Sequence, residues 1–97
     1  MNSMEQRKQI DERKTALEER LSHLFESKIL NGEKCFVAEE RVFIVSLFYS
    51  RGAVVIEYAD SMAAAIQNAY EDGDLFFLEE MDEEEMFQAI LQEINQS

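Results

Sequence analysis

Between Arg41 and Tyr49 the chain is apolar in both phases: Phe43, Val45, Leu47 and Tyr49 alternate with Val42, Ile44, Ser46 and Phe48. Successive side chains of a strand point to opposite faces, so such a segment needs cover on both. Strand-like runs flank it, Lys34–Ala38 before and Ala53–Tyr58 after, separated by Glu39-Glu40 and by Ser50-Arg51-Gly52. Connections this short join antiparallel neighbours. A three-stranded antiparallel meander is therefore predicted, its middle strand covered by helices or by a second subunit.

The rest of the chain reads as helix. From about Met4 to Ile29, Ile10, Leu17, Leu21, Leu24 and Phe25 fall on one stripe. Few apolar anchors precede Ile10, so residues 1–9 are expected to fray. Asn31-Gly32 supplies the left-handed residue that commonly stops a helix. After the meander, Asp60 is expected to cap a helix from Ser61 to about Tyr70, turning Met62, Ala65, Ile66 and Ala69 inward. Glu71-Asp72-Gly73-Asp74 breaks it, and Leu75–Leu78 is a short extended run. Asp82 and Glu85 have the spacing of a capping box, opening a last helix from Glu83 to about Ile94 with Met86, Phe87, Ile90, Leu91 and Ile94 inward. The prediction is a single α+β domain over residues 1–97, in the order α-β-β-β-α-(β)-α.

Charge is distributed very unevenly along this chain. Residues 1–51 balance nine Lys and Arg with nine Asp and Glu, whereas residues 52–97 carry twelve acids and no base, and so the whole net charge of −12. Nine of those acids lie between Glu71 and Glu85, around the run Leu75, Phe76, Phe77, Leu78. Concentrated like charge repels itself, and a basic partner relieves that repulsion. Some of these acids, Asp82 to Glu85 above all, are accounted for by capping a helix. Because side chains alternate, one pair of the apolar run, Leu75 and Phe77 or Phe76 and Leu78, must face away from the core. Buried aromatics inside a polar rim are the usual anchor of an interface. The expected partner-binding residues are Asp72, Asp74, Phe76, Phe77, Glu79, Glu80, Glu83 and Glu84.

Other chemistries find little support. An acidic surface repels phosphates, which argues against direct binding of nucleic acid or anionic lipid. No apolar run approaches the roughly 20 residues needed to cross a bilayer, and the first residues lack a signal-peptide core. Cys35 is the single cysteine, as in proteins of reducing compartments; a soluble cytoplasmic protein is expected. His23, beside the first stripe, reads as a half-buried structural residue and Cys35 as a small core hydrophobe. Asn68 to Glu79 faintly follows a calcium loop, with Gly73 at its sixth position and Glu79 at its twelfth, but Tyr70 stands where a ligand oxygen is needed. No catalytic constellation, phosphate loop or metal spacing stands out, so neither an enzyme nor a cofactor is expected.

The order of elements, with the stretches Val54 to Asp60, Glu71 to Asp74 and Met81 to Met86, resembles small bacterial immunity proteins of toxin–immunity systems. That resemblance implies a stoichiometric inhibitor of a basic toxin or nuclease-like enzyme. Charge alone is also similar to that of acidic phage proteins that imitate nucleic acid. A homodimeric structural or regulatory module is the remaining reading, with the two-sided strand or the first helix buried between subunits.

Overall fold

The computed structural model describes residues 3–96. Its elements are α1 (Ser3–Ser22), β1 (Glu26–Leu30), β2 (Glu33–Ala38), β3 (Arg41–Phe48), β4 (Ala53–Ala59), α2 (Met62–Ile66), β5 (Glu71–Phe77) and α3 (Glu83–Gln96). The strands form one antiparallel sheet in sequence order, β1-β2-β3-β4-β5. The architecture is thus α+β, with a five-stranded sheet where a three-stranded meander and one further short extended run were predicted.

β1 comes from a segment read as helix, while β5 takes in most of the expected extended run Leu75–Leu78 and adds the acidic stretch before it. The first helix stops at Ser22, seven residues short of its expected end, and Glu26–Leu30 pairs with β2 instead. Asn31 and Gly32 both have positive φ, 55° and 76°. They are the central residues of a two-residue hairpin joining Leu30 to Glu33, the geometry for which Asn-Gly is preferred. The same dipeptide also serves as a helix stop, so its local chemistry is ambiguous. The helix is closed earlier, by Phe25 N–H donating to Leu21 O at 2.9 Å. Leu24 is left 57% exposed rather than inward, and His23 is exposed rather than half-buried. Of the residues expected to fray, 1 and 2 lie outside the described range; Met4 to Gln9 are helical with exposed side chains.

The second additional strand is β5, which includes the acidic stretch expected to be a break. α2 is only Met62–Ile66, capped by Ser61 Oγ rather than by Asp60, accepting from Ala64 N–H at 3.1 Å. Asn68, at φ 60°, turns the chain out of the helix. Ile66 and Ala69 are consequently exposed rather than inward. β5 then pairs with β4 through a bulge: Val55 faces Leu75 and Glu57 faces Asp72, so Ile56 opposes both Gly73 and Asp74.

The cover demanded by β3 is supplied within the chain. Phe43 and Val45 face α1 and α3, in a core with Leu17, Leu21, Phe36, Ile56, Phe76, Met86, Phe87 and Ile90. Val42 and Ile44 face the other way, with Cys35, Ala59 and Ala65 under α2. The predicted capping box is present: Glu85 N–H donates to Asp82 Oδ1 at 2.8 Å, and Asp82 N–H to Glu85 Oε1 at 3.1 Å. α3 has no base in its last turn. Arg41 of β3 supplies one, donating to the Ile94 carbonyl at 2.8 Å and balancing the negative end of the helix dipole.

Cys35 is buried, and desolvation pushes its thiol pKa up. Because the thiolate is the nucleophile, the native protein is expected to resist iodoacetamide at pH 8 and to react fully in denaturant. Fast alkylation of the folded chain, followed by mass spectrometry, would contradict this burial.

Candidate protein-binding edge

β5 closes one side of the sheet, so the acidic stretch lies along an edge strand. Glu71, Asp72 and Asp74 are exposed on it, and Glu79 and Glu80 are exposed just beyond its end. Among the described residues no Lys or Arg pairs with Asp72, Asp74, Glu79 or Glu80. Asp72 stands directly opposite Glu57 of β4, a like-charge cross-strand pair, which is destabilising.

The other two expected rim acids are already engaged. Arg20 of α1 reaches Glu83 at 3.6 Å and also pairs with Glu84. Its guanidinium lies 3.9 Å from the centre of the Phe87 ring. Exposed ion pairs contribute little individually, and a cation over a ring adds a comparable amount. Arg20→Ala is therefore expected to cost about 1 kcal/mol, measured by urea denaturation, while adding two uncompensated carboxylates to the acidic side. A loss above about 3 kcal/mol would mean that Arg20 is a core determinant rather than a surface clamp.

The apolar run divides as alternation requires. Phe76 is 7% exposed and belongs to the helix-facing core, with Leu78 packed against it. Leu75 and Phe77 lie on the opposite face and are half-buried. Of the two phenylalanines expected to anchor a partner, Phe77 is thus the accessible one. Cα register places Phe48, Ala53 and Phe77 in one row across β3, β4 and β5, and Ser46, Val55 and Leu75 in the next. α2 covers the far end of this face; in these two rows Ala53 and Val55 are buried, Ser46, Leu75 and Phe77 are half-buried, and Phe48 is 42% exposed. Sequence reasoning missed Phe48, since only pairing register brings it into line with Phe77.

This patch is not uniformly anionic at its border. The Arg51 guanidinium lies 5.4 Å from the centre of the Phe77 ring. Arg51 also lines a cleft of about 620 Å³ with Arg7, Ile10, Tyr49, Leu78 and Glu79. Tyr49 donates its hydroxyl hydrogen bond to Asp11 Oδ1, and Arg7 stacks 4.6 Å from the Tyr49 ring centre. An apolar strip flanked by carboxylates, ending in a cleft with two guanidinium groups, can recognise a mainly cationic surface that carries an acid of its own.

At the other end of the edge, Glu93 of α3 is held rather than free. It accepts from the Tyr58 hydroxyl and, at 2.7 Å, from Asp74 N–H, which the bulge turns outward. Burial, then the hydrogen bond to Glu93 and its charge, push the Tyr58 pKa up, against the opposing influence of Arg41. The Asn68–Glu79 stretch contains an extended strand spanning about 3.3 Å per residue. Its carboxylates diverge instead of converging on a calcium ion, and among the described residues no group of three or more His, Cys, Asp and Glu could hold a metal ion.

Comparisons with protein-family models, curated proteins and solved structures return no match. The chain is a five-stranded antiparallel meander with α1 and α3 on one face, a short α2 on the other, and an acidic edge. No helix among the described residues is long and apolar enough to cross a membrane.

Proposed function

We propose that this chain is a non-catalytic protein-binding module of the immunity or inhibitor kind, which blocks a basic enzyme, a toxin or nuclease, by way of its β5 edge. The observation that carries this reading is the juxtaposition of unpaired Asp72, Asp74, Glu79 and Glu80 with the half-buried Phe77 and Leu75 and the exposed Phe48. The carboxylates attract and orient a cationic partner, and the aromatic row holds it once water is expelled. The like-charge opposition of Glu57 and Asp72 supports the same reading, because a bound cation relieves it. The free thiol of Cys35 favours a cytoplasmic site of action.

The test uses the product of the reading frame adjacent to the gene as candidate partner, with association followed by stopped flow. Raising salt from 50 to 500 mM, about, is expected to slow association at least tenfold. Neutralising the rim (D72N, D74N, E79Q and E80Q together) should slow it similarly and flatten the salt dependence. Phe77→Ala should instead speed dissociation. Equal association rates at both salt concentrations would exclude steering by this edge. Displacement of the partner by non-specific duplex DNA would mark the chain as a nucleic-acid mimic instead.

A further inference from the structure

The sheet's other edge carries a different pattern. β1 is the outermost strand on that side, and Glu26 to Ile29 are all exposed along it. Ile29 is 71% exposed and the neighbouring Leu24 57%, two of the largest exposures of apolar side chains in the molecule. Proteins usually protect an edge with charge, shortness or Pro. β1 is short and contains Lys28, yet it leaves aliphatic groups beside an open backbone.

The hairpin fixes which backbone groups are open. In a two-residue hairpin the residues flanking the turn, here Leu30 and Glu33, form a hydrogen-bonded pair. By alternation, Lys28 and Glu26 direct their N–H and C=O groups toward β2, whereas Ile29 and Ser27 direct theirs outward. A second antiparallel strand can therefore bond only to Ser27 and Ile29. Self-pairings centred on Glu26, Ser27, Lys28 or Ile29 meet this parity; the first sets two glutamates directly opposite, and the last runs Ser27 against Asn31 of the turn, whose left-handed backbone cannot extend the ladder. Centring the twofold axis on Lys28 would set two lysines directly opposite, which is unfavourable. Centring it on Ser27 sets Glu26 of each copy opposite Lys28 of the other, two opposite-charge pairs on one face. It also brings Ile29 opposite Phe25 of the second copy on the helix-bearing face, and Leu24 beside Leu30. Phe25 already donates its N–H to Leu21, so it offers its carbonyl to Ile29.

We infer that the β1 edge is an isologous docking surface for a second copy of this chain, pairing about Ser27 to make a continuous ten-stranded sheet. The charge of the sequence half that carries β1 does not oppose it, because residues 1–51 are electrically balanced and the net charge of −12 belongs to residues 52–97. Nine strand spacings separate the two β5 edges in such a dimer, about 43 Å at about 4.8 Å each. That is about five Debye lengths at physiological salt, so the acidic edges are screened from each other. Both remain open for a partner. A five-residue strand buries less than a standard interface, so the association is concentration-dependent rather than obligate.

Sedimentation equilibrium of the full chain from micromolar to millimolar concentration tests this. The wild type is expected to dimerise reversibly. Lys28→Glu and Glu26→Lys should each weaken the dimer about tenfold, since each turns two attractions into two repulsions. The double exchange E26K with K28E should restore it. Circular dichroism of each variant establishes that the exposed substitution leaves the fold intact. Amide exchange at Ser27 and Ile29 should slow with rising concentration, while that at Lys28 stays constant. A wild type monomeric throughout overturns the inference, as does a dimer that either single variant leaves unchanged or that the double exchange fails to restore.

Discussion

Phe43→Ala is expected to destabilise the protein by about 3–5 kcal/mol, the usual cost of truncating a buried phenylalanine. Phe43 is fully buried at the centre of the sheet, on the face that α1 and α3 cover. Its ring stacks on Phe36 at 5.2 Å and 21°. It also receives Phe25 edge-on at 5.3 Å and 88°, and lies 6.3 Å from Tyr58. Three ring contacts are therefore lost together with the transfer free energy, and the hole lies where β3 is held between two strands and cannot collapse. Since small domains are stable by only about 5–15 kcal/mol, the variant should lose much of its denaturation midpoint in urea. Phe43→Leu, which keeps most of the volume, should cost less than half as much. A loss below about 1 kcal/mol for the alanine variant would mean that the aromatic cluster is not the centre of the core.

The second large effect is expected at Gly73, for a reason unrelated to turn-forming. A Cβ at this position would lie 2.7 and 2.9 Å from the two carboxylate oxygens of Glu93. That carboxylate accepts from Tyr58 and from Asp74 N–H, tying α3 to the bulge in β5. Gly73→Ala must push it aside, and charge-assisted bonds of this type contribute about 1.5–3 kcal/mol each. A loss of about 2–3 kcal/mol is expected, discounted because part of the site is open to water. A double-mutant cycle isolates the cause: in an E93A background the alanine at position 73 should cost only a few tenths of a kcal/mol. If Gly73→Ala costs the same in both backgrounds, strand conformation rather than the carboxylate explains the glycine.

How much of this could be read in advance differs from one element to the next. β2, β3 and β4 were legible because their Val, Ile and Phe content and short turns favour one pairing. So was α3, whose capping box and inward stripe are local and mutually consistent. β1 was not, since Glu26–Leu30 has no strand composition of its own and Asn31-Gly32 serves equally to stop a helix or to close a hairpin. Of β5 only the apolar part, within the expected extended run Leu75–Leu78, was legible: its acidic half is a poor strand by propensity and is tolerated because one side faces solvent while β4 supplies the ladder on the other. At the candidate edge, the unpaired Asp72, Asp74, Glu79 and Glu80 could be named from charge alone. The engagement of Glu83 and Glu84 by Arg20 could not, because that residue lies more than sixty positions away in the chain. Nor could the alignment of Phe48 with Phe77, which depends on a register shared by three strands.

By itself, the sequence determined that a strand apolar on both sides would sit at the centre of an α+β domain, and that its carboxylates would gather in the second half. Hydrophobic alternation and helix caps act over a few residues, and so they can be read there. Tertiary structure alone decided which apolar groups stay near water and which acids are neutralised at home. Those outcomes depend on contacts between residues far apart in the chain, and no local preference encodes them.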